Sequence, residues 1–100
     1  MIRHIVMFTL IATDEAQRER DVVEVRTRLE ALVGTVPGLQ SMTFGRDLGL
    51  VTEGHWDAVL VSDHDDNAAL TAYQAHPAHQ KVGAFIRSVT GERATVDFSA

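Results

Sequence analysis

Residues 2–11, IRHIVMFTLI, decide the fold. The run is rich in Ile, Val, Phe and Met and has no helix former of note, so it reads as a strand. Side chains alternate across a strand, so Ile2, His4, Val6, Phe8 and Leu10 share one face, and Arg3, Ile5, Met7, Thr9 and Ile11 the other. Both faces are largely apolar, which predicts a strand covered on both sides.

Working outward, residues 14–33 read as a long amphipathic helix. Thr13 or Asp14 can cap it, and Val22, Val25, Leu29, Leu32 and Val36 recur at spacings of three and four. Gly34 and the Pro37–Gly38 pair end it. Residues 39–47 form a second strand with Met42 and Phe44 on one side, and residues 55–63 a third, joined to it by a long hairpin loop. Asp65 or Asp66 can cap a second helix running to about His76, and Pro77 interrupts it. A further helical stretch, 78–89, carries Val82, Phe85, Ile86 and Val89 on one stripe. Residues 92–99 form the last strand, with Ala94, Val96 and Phe98 on one face.

The order is β-α-β-β-α-β, the ferredoxin-like arrangement of the α+β class. The crossover rule places both helical segments on one side of a four-stranded antiparallel sheet. At 100 residues the chain is one domain with nothing left to cover the other side. A second copy packed sheet to sheet answers the two-sided apolarity of the first strand, so a homodimer is expected.

Composition removes several classes of function. Nine Lys+Arg against fourteen Asp+Glu give a net charge of −5 with no basic block, against nucleic acid or an anionic membrane as partner. Without cysteine there is no thiol catalysis, thiol redox switch or iron–sulfur cluster. There is no membrane-length apolar run and no GxGxxG, P-loop or nucleophile-elbow motif. Arg3, His4 and the lack of a small-x-small site argue against a signal peptide, and a cytoplasmic location is expected.

The segment that can carry chemistry is Ala72-Tyr73-Gln74-Ala75-His76-Pro77-Ala78-His79. In an unbroken helix Tyr73 and His79, six residues apart, would point to different faces at ~100° per residue. Pro77 cannot donate to the Tyr73 carbonyl and its ring clashes there, so the helix breaks and the next turn can be re-aimed. His79 shares a stripe with Val82 and Ile86, and Tyr73 follows Leu70, so both face inward. An imidazole that takes a proton and a phenol that hydrogen-bonds an oxyanion make an acid–base pair.

Each residue also fits a structural role: Tyr73 and His79 as core groups with satisfied polar atoms, His76 as a helix-end cap, and His4 as a core histidine. His55 and His64 flank the third strand and read as solvated. Trp56, placed by alternation on the face of Ala58 and Leu60, packs in the core or lines a pocket. His76 and His79 are three apart, yet Pro77 lies between them and no zinc motif appears, so no metal and no cofactor are expected.

The opening MIRHIVMFTL, Trp56-Asp-Ala-Val-Leu-Val, Asp66-x-x-Ala-Leu-x-x-Tyr-x-x-His-Pro-x-His79 and the closing Glu-Arg-Ala-Thr-Val-Asp-Phe resemble the stress-responsive α/β-barrel (Dabb) family. The resemblance spans 1–100 and implies a single domain that dimerises into an α+β barrel. A plant branch resembling olivetolic acid cyclase closes a linear polyketide by an aldol step with the tyrosine and second histidine of this motif, which correspond to Tyr73 and His79. His4 matches a strand histidine near the pocket. Ala58 and Thr9 stand where that cyclase has a histidine and the family commonly has a lysine.

Three functions remain open. In the first, a pocket lined by His4, Phe8, Trp56, Leu60 and Phe85 binds a small hydrophobic carbonyl or polyketide-like molecule, and His79 and Tyr73 act on it by lyase, cyclase or isomerase chemistry. In the second the protein is a non-enzymatic stress-response or interaction dimer. In the third, by fold analogy alone, it is a cofactor-independent monooxygenase.

Overall fold

A computed structural model describes residues 1–50 and 56–100. The elements are β1 (Ile2–Leu10), α1 (Glu15–Glu30), β2 (Leu39–Arg46), β3 (Ala58–His64), α2 (Asn67–Ala75), α3 (Pro77–Val89) and β4 (Thr90–Ser99). The strands form one antiparallel sheet in the order β2-β3-β1-β4. This is the expected ferredoxin-like topology, with the second helix divided in two.

Asp14 caps α1 by accepting the Gln17 N–H at 2.9 Å, and Val22, Val25 and Leu29 are buried along its inner face. The helix stops at Glu30, three residues short of expectation, and Leu32 and Val36 reach the core from the turns that follow. Gly38 turns the chain into β2 at φ +83°, and a Cβ there would stand 2.6 Å from Ala69 Cβ. Only glycine satisfies both the left-handed backbone and that close approach of α2.

β3 begins at Ala58 rather than residue 55. Just before it, the Asp57 N–H donates to the Phe8 carbonyl at 2.9 Å, and the Asp57 carboxylate accepts the Leu10 N–H at 2.8 Å. Val6, Phe8 and Leu10 of β1, Met42 and Phe44 of β2, and Ala58 and Leu60 of β3 are buried beneath the helices. The opposite face carries Ile5, paired in register with Val61 and Val96, and Met7, paired with Val59 and Ala94. Among the described residues no helix is long and apolar enough to cross a membrane.

Candidate active site

The polar end of the helix–sheet layer is assembled from β1, β3, α2 and α3. Asp66 caps α2 by accepting the Ala69 N–H at 2.8 Å. At the other end, the His76 N–H donates to the Tyr73 carbonyl and the backbone leaves the helix at His76, φ −66° and ψ 133°. α3 then starts with Pro77 at a position whose N–H needs no helical partner. The break re-aims the chain as its sequence requires: the Tyr73 and His79 rings lie 4.2 Å apart between centroids, inclined at 44°.

The sequence places His76 at the end of α2, where a cation would meet the negative end of the helix dipole; in the structure it caps the next helix instead. Its Nδ1 accepts the Ala78 N–H at 3.1 Å, so it serves the N-terminus of α3 as an acceptor rather than the C-terminus of α2 as a cation.

His79 Nδ1–H donates to the Gln74 carbonyl at 3.2 Å. In neutral His79 this fixes the proton on Nδ1 and leaves the Nε2 lone pair available. Burial lowers the His79 pKa from its ordinary value, the Gln74 hydrogen bond opposes that, and the nearby His4, Arg87 and His76 add to the lowering. Tyr73 is almost wholly buried and its hydroxyl has no hydrogen-bond partner among the described residues. Burial pushes the phenol pKa well above its ordinary value, so Tyr73 is a hydrogen-bond donor and not a phenolate.

A cavity of about 670 Å³ reaches both rings. His4, Phe8 and Leu60 line it. Trp56 does not. It precedes β3, escapes the strand's alternation, and lines a separate hollow with Met7, Gly45 and Val59. Phe85 also lies outside the cavity, partly buried against the core, with the Arg28 guanidinium 4.0 Å over its ring.

His64 corrects the reading that it is solvated. It is completely buried, with Nε2 2.9 Å from Ser62 Oγ, Nδ1 unpartnered, and its ring 4.7 Å from that of Tyr73. Burial first, and the neighbouring His4 second, lower its pKa. The signal was present in the sequence: His64 has the same strand parity as Ala58, Leu60 and Ser62, all buried. His55 lies outside the described residues. His4 is buried and hydrogen-bonded through Nδ1 to the Asp97 carboxylate, its Cα partner across β4. Tyr73 is thus flanked by three imidazoles, those of His79, His64 and His4, the last with its centroid at 6.5 Å. Among the described residues no group of three or more His, Asp or Glu side chains is placed to hold a metal ion.

Comparison with known proteins agrees with this architecture. The family described as Stress responsive A/B Barrel Domain (Dabb) matches residues 2–100. A dimeric ferredoxin-like protein of unknown function from Thermobifida fusca is 35% identical, covering 99% of this chain and 90% of that one, with a TM-score of 0.83. A dimeric protein of unknown function and ferredoxin-like fold from Bacteroides fragilis is 23% identical over 99% and 95% of the two chains, TM-score 0.84. The hydroxynitrile lyase of Passiflora edulis shares the fold at 13% identity over 97% and 90%, TM-score 0.80. Among proteins with curated descriptions none matches.

Proposed function

The chain belongs to the stress-responsive A/B barrel domain (Dabb) family, and on that premise we propose that it binds a small hydrophobic carbonyl compound and moves a proton on it. The observation that carries this reading is the buried, unpartnered Tyr73 hydroxyl beside His79 at an open cavity. A buried hydroxyl without a partner costs about 1–3 kcal/mol. A ligand oxygen seated in the cavity would accept that hydrogen bond once the side chains that close over the hydroxyl, itself shut off from solvent, part to admit it. A protein whose role was only to pack would need neither the cavity nor the unpaired hydroxyl.

In the proposed step, His79 Nε2 takes a proton from the carbon next to the carbonyl. The C–H electron pair moves into the C–C bond, the carbonyl π pair moves onto oxygen, and Tyr73 O–H donates to that enolate oxygen. The nucleophilic carbon then adds to a second carbonyl of the same molecule, and the His79 imidazolium returns its proton to the new alkoxide. No electron leaves the ligand, so the step needs no redox partner. A lyase or isomerase would share its first half. The Passiflora neighbour is an enzyme of the lyase class on the same fold, which gives that half a precedent at the level of architecture only.

The test is deuterium exchange at the methyl group of acetophenone in heavy water, followed by proton NMR. Wild-type protein is expected to accelerate exchange. His79→Asn, which cannot take the proton, should lose the acceleration by about 10²–10⁴-fold while keeping the melting temperature. No acceleration by the wild type, or an unaltered rate in His79→Asn, overturns the acid–base reading.

The acting form is proposed to be a cytoplasmic homodimer. Val96 and Phe98 leave 58% and 43% of their surfaces exposed on the face of the sheet that no helix covers, and the Thermobifida and Bacteroides neighbours are described as dimeric.

A further inference from the structure

The protein has eight arginines and an acidic balance overall. Six of the eight are engaged: Arg3 with Asp63, Arg18 with the Ala12 carbonyl and Asp57, Arg20 with Gln17, Arg26 with the Phe44 carbonyl, Arg28 with Glu24, and Arg46 with Glu15 and Glu19. Arg87 and Arg93 have no hydrogen bond or ion pair with any described residue, and both line the Tyr73–His79 cavity.

They approach it from two walls. Arg87 lies on α3 four residues after Gly83, and its Nη1 comes within 3.4 Å of where a Gly83 Cβ would stand. The guanidinium therefore lies back along the helix over Gly83, itself a lining residue. Arg93 lies on β4 opposite Phe8, on the side of the sheet that carries the cavity. Both arginines are exposed, whereas Tyr73 and Leu60 are buried, so the two cations stand at the outer part of a cavity whose depth holds the acid–base pair.

No Asp or Glu is among the described residues that line it. Among the described residues the one carboxylate bonded to a lining side chain, Asp97, is held by His4. In a chain with five more acidic than basic groups, a cavity with two free arginines and no carboxylate has a local charge opposite to that of the molecule.

We propose that the outer end of this cavity binds an anionic group, so that the ligand is a carbonyl compound carrying a carboxylate or a phosphate. The assignment rests on the reading of the cavity as a carbonyl site and adds the charge of its ligand. Guanidinium groups match planar carboxylates and phosphate oxygens through paired N–H donors. The anion fixes the ligand's orientation, and its carbonyl end then extends inward towards Tyr73 and His79.

Three probes with the same acetophenone core separate the possibilities: 4-acetylbenzoate, 4-acetylphenyl phosphate and the neutral 4-acetylbenzamide, each titrated calorimetrically at low salt. At least one anion is expected to bind about tenfold or more tightly than the amide, as charge-assisted hydrogen bonds to arginine predict. The tighter of the two anions assigns carboxylate or phosphate. The preference should shrink with added salt and disappear in the double variant Arg87→Gln/Arg93→Gln. Equal affinity for all three probes, no binding of either anion, or a preference that survives the double substitution overturns the assignment. Titration needs no turnover, so the two readings fail separately. An anion preference without proton exchange keeps this site and removes the acid–base step; exchange without the preference does the reverse.

Discussion

On the helix-covered face of the sheet, Val6, Phe8 and Leu60 are buried beside His4, Ser62 and His64; on the opposite face Ile5, Met7, Val59 and Val61 are half-buried and Val96 and Phe98 lie exposed. The covered face has enough apolar contact and too few hydrogen bonds, since Tyr73 Oη and His64 Nδ1 have no partner among the described residues. The other face has apolar side chains and no cover. A missing hydrogen-bond partner a few ångströms wide is supplied by a small polar molecule or a water. A missing apolar cover as wide as a sheet is supplied by another protein surface. The two faces of one four-stranded sheet thus call for different kinds of occupant.

The comparison breaks most visibly at the uncovered face. The wild-type protein is expected to sediment at twice its 11.0 kDa chain mass, and Val96→Asp with Phe98→Asp to sediment as a monomer, because two unpaired carboxylates oppose burial between sheets. A monomeric wild type would mean that nothing covers this face. At the covered face, Tyr73→Phe removes a hydroxyl that bonds to no described residue. It should slow acetophenone exchange by about 10²-fold or more while leaving thermal stability unchanged or raised. A marked loss of stability would show that the hydroxyl has an internal partner.

The smallest effect is on pH dependence. His64 and His79 both have pKa values lowered in the folded state, chiefly by burial. Above the unfolded value of about 6.5 both states are neutral and the shift contributes nothing. As the pH falls below it, the unfolded chain binds protons that the folded chain refuses, so stability declines until the folded pKa values are passed. The melting temperature is therefore expected to fall between neutral pH and mildly acidic pH, and His64→Phe should flatten that slope. An unchanged slope in the variant would remove His64 as a source of the pH dependence.

The strands and both faces of β1 were legible because alternation with period two is a local property of the chain. The break before Pro77 was legible for a similar reason: an imino acid without an N–H cannot continue a helix, whatever surrounds it. Misplacement came at strand ends. Alternation gives Trp56 the parity of Ala58 and Leu60, whereas the chain enters β3 only at Ala58, after Asp57 has bonded to β1. From the sequence His64 reads as a flank of β3, whereas it is the strand's last residue and paired on both sides, with Ile2 and Leu39. Strand limits depend on which neighbours supply hydrogen bonds, and those neighbours are distant in sequence.

By itself the sequence determined the element order, the inward stripes of the helices, the bend that brings Tyr73 and His79 together, and the need for a cover on the second face of β1. These follow from periodicity and from the covalent limits of proline, both of which act over a few residues. Only the tertiary structure decided that His64 is buried against Tyr73, that Asp97 meets His4 across 93 residues, and that Arg87 and Arg93 converge on one cavity. Those relations depend on strand register and on how α3 lies over β4, and residues that meet across a sheet carry no mark of it in their local sequence.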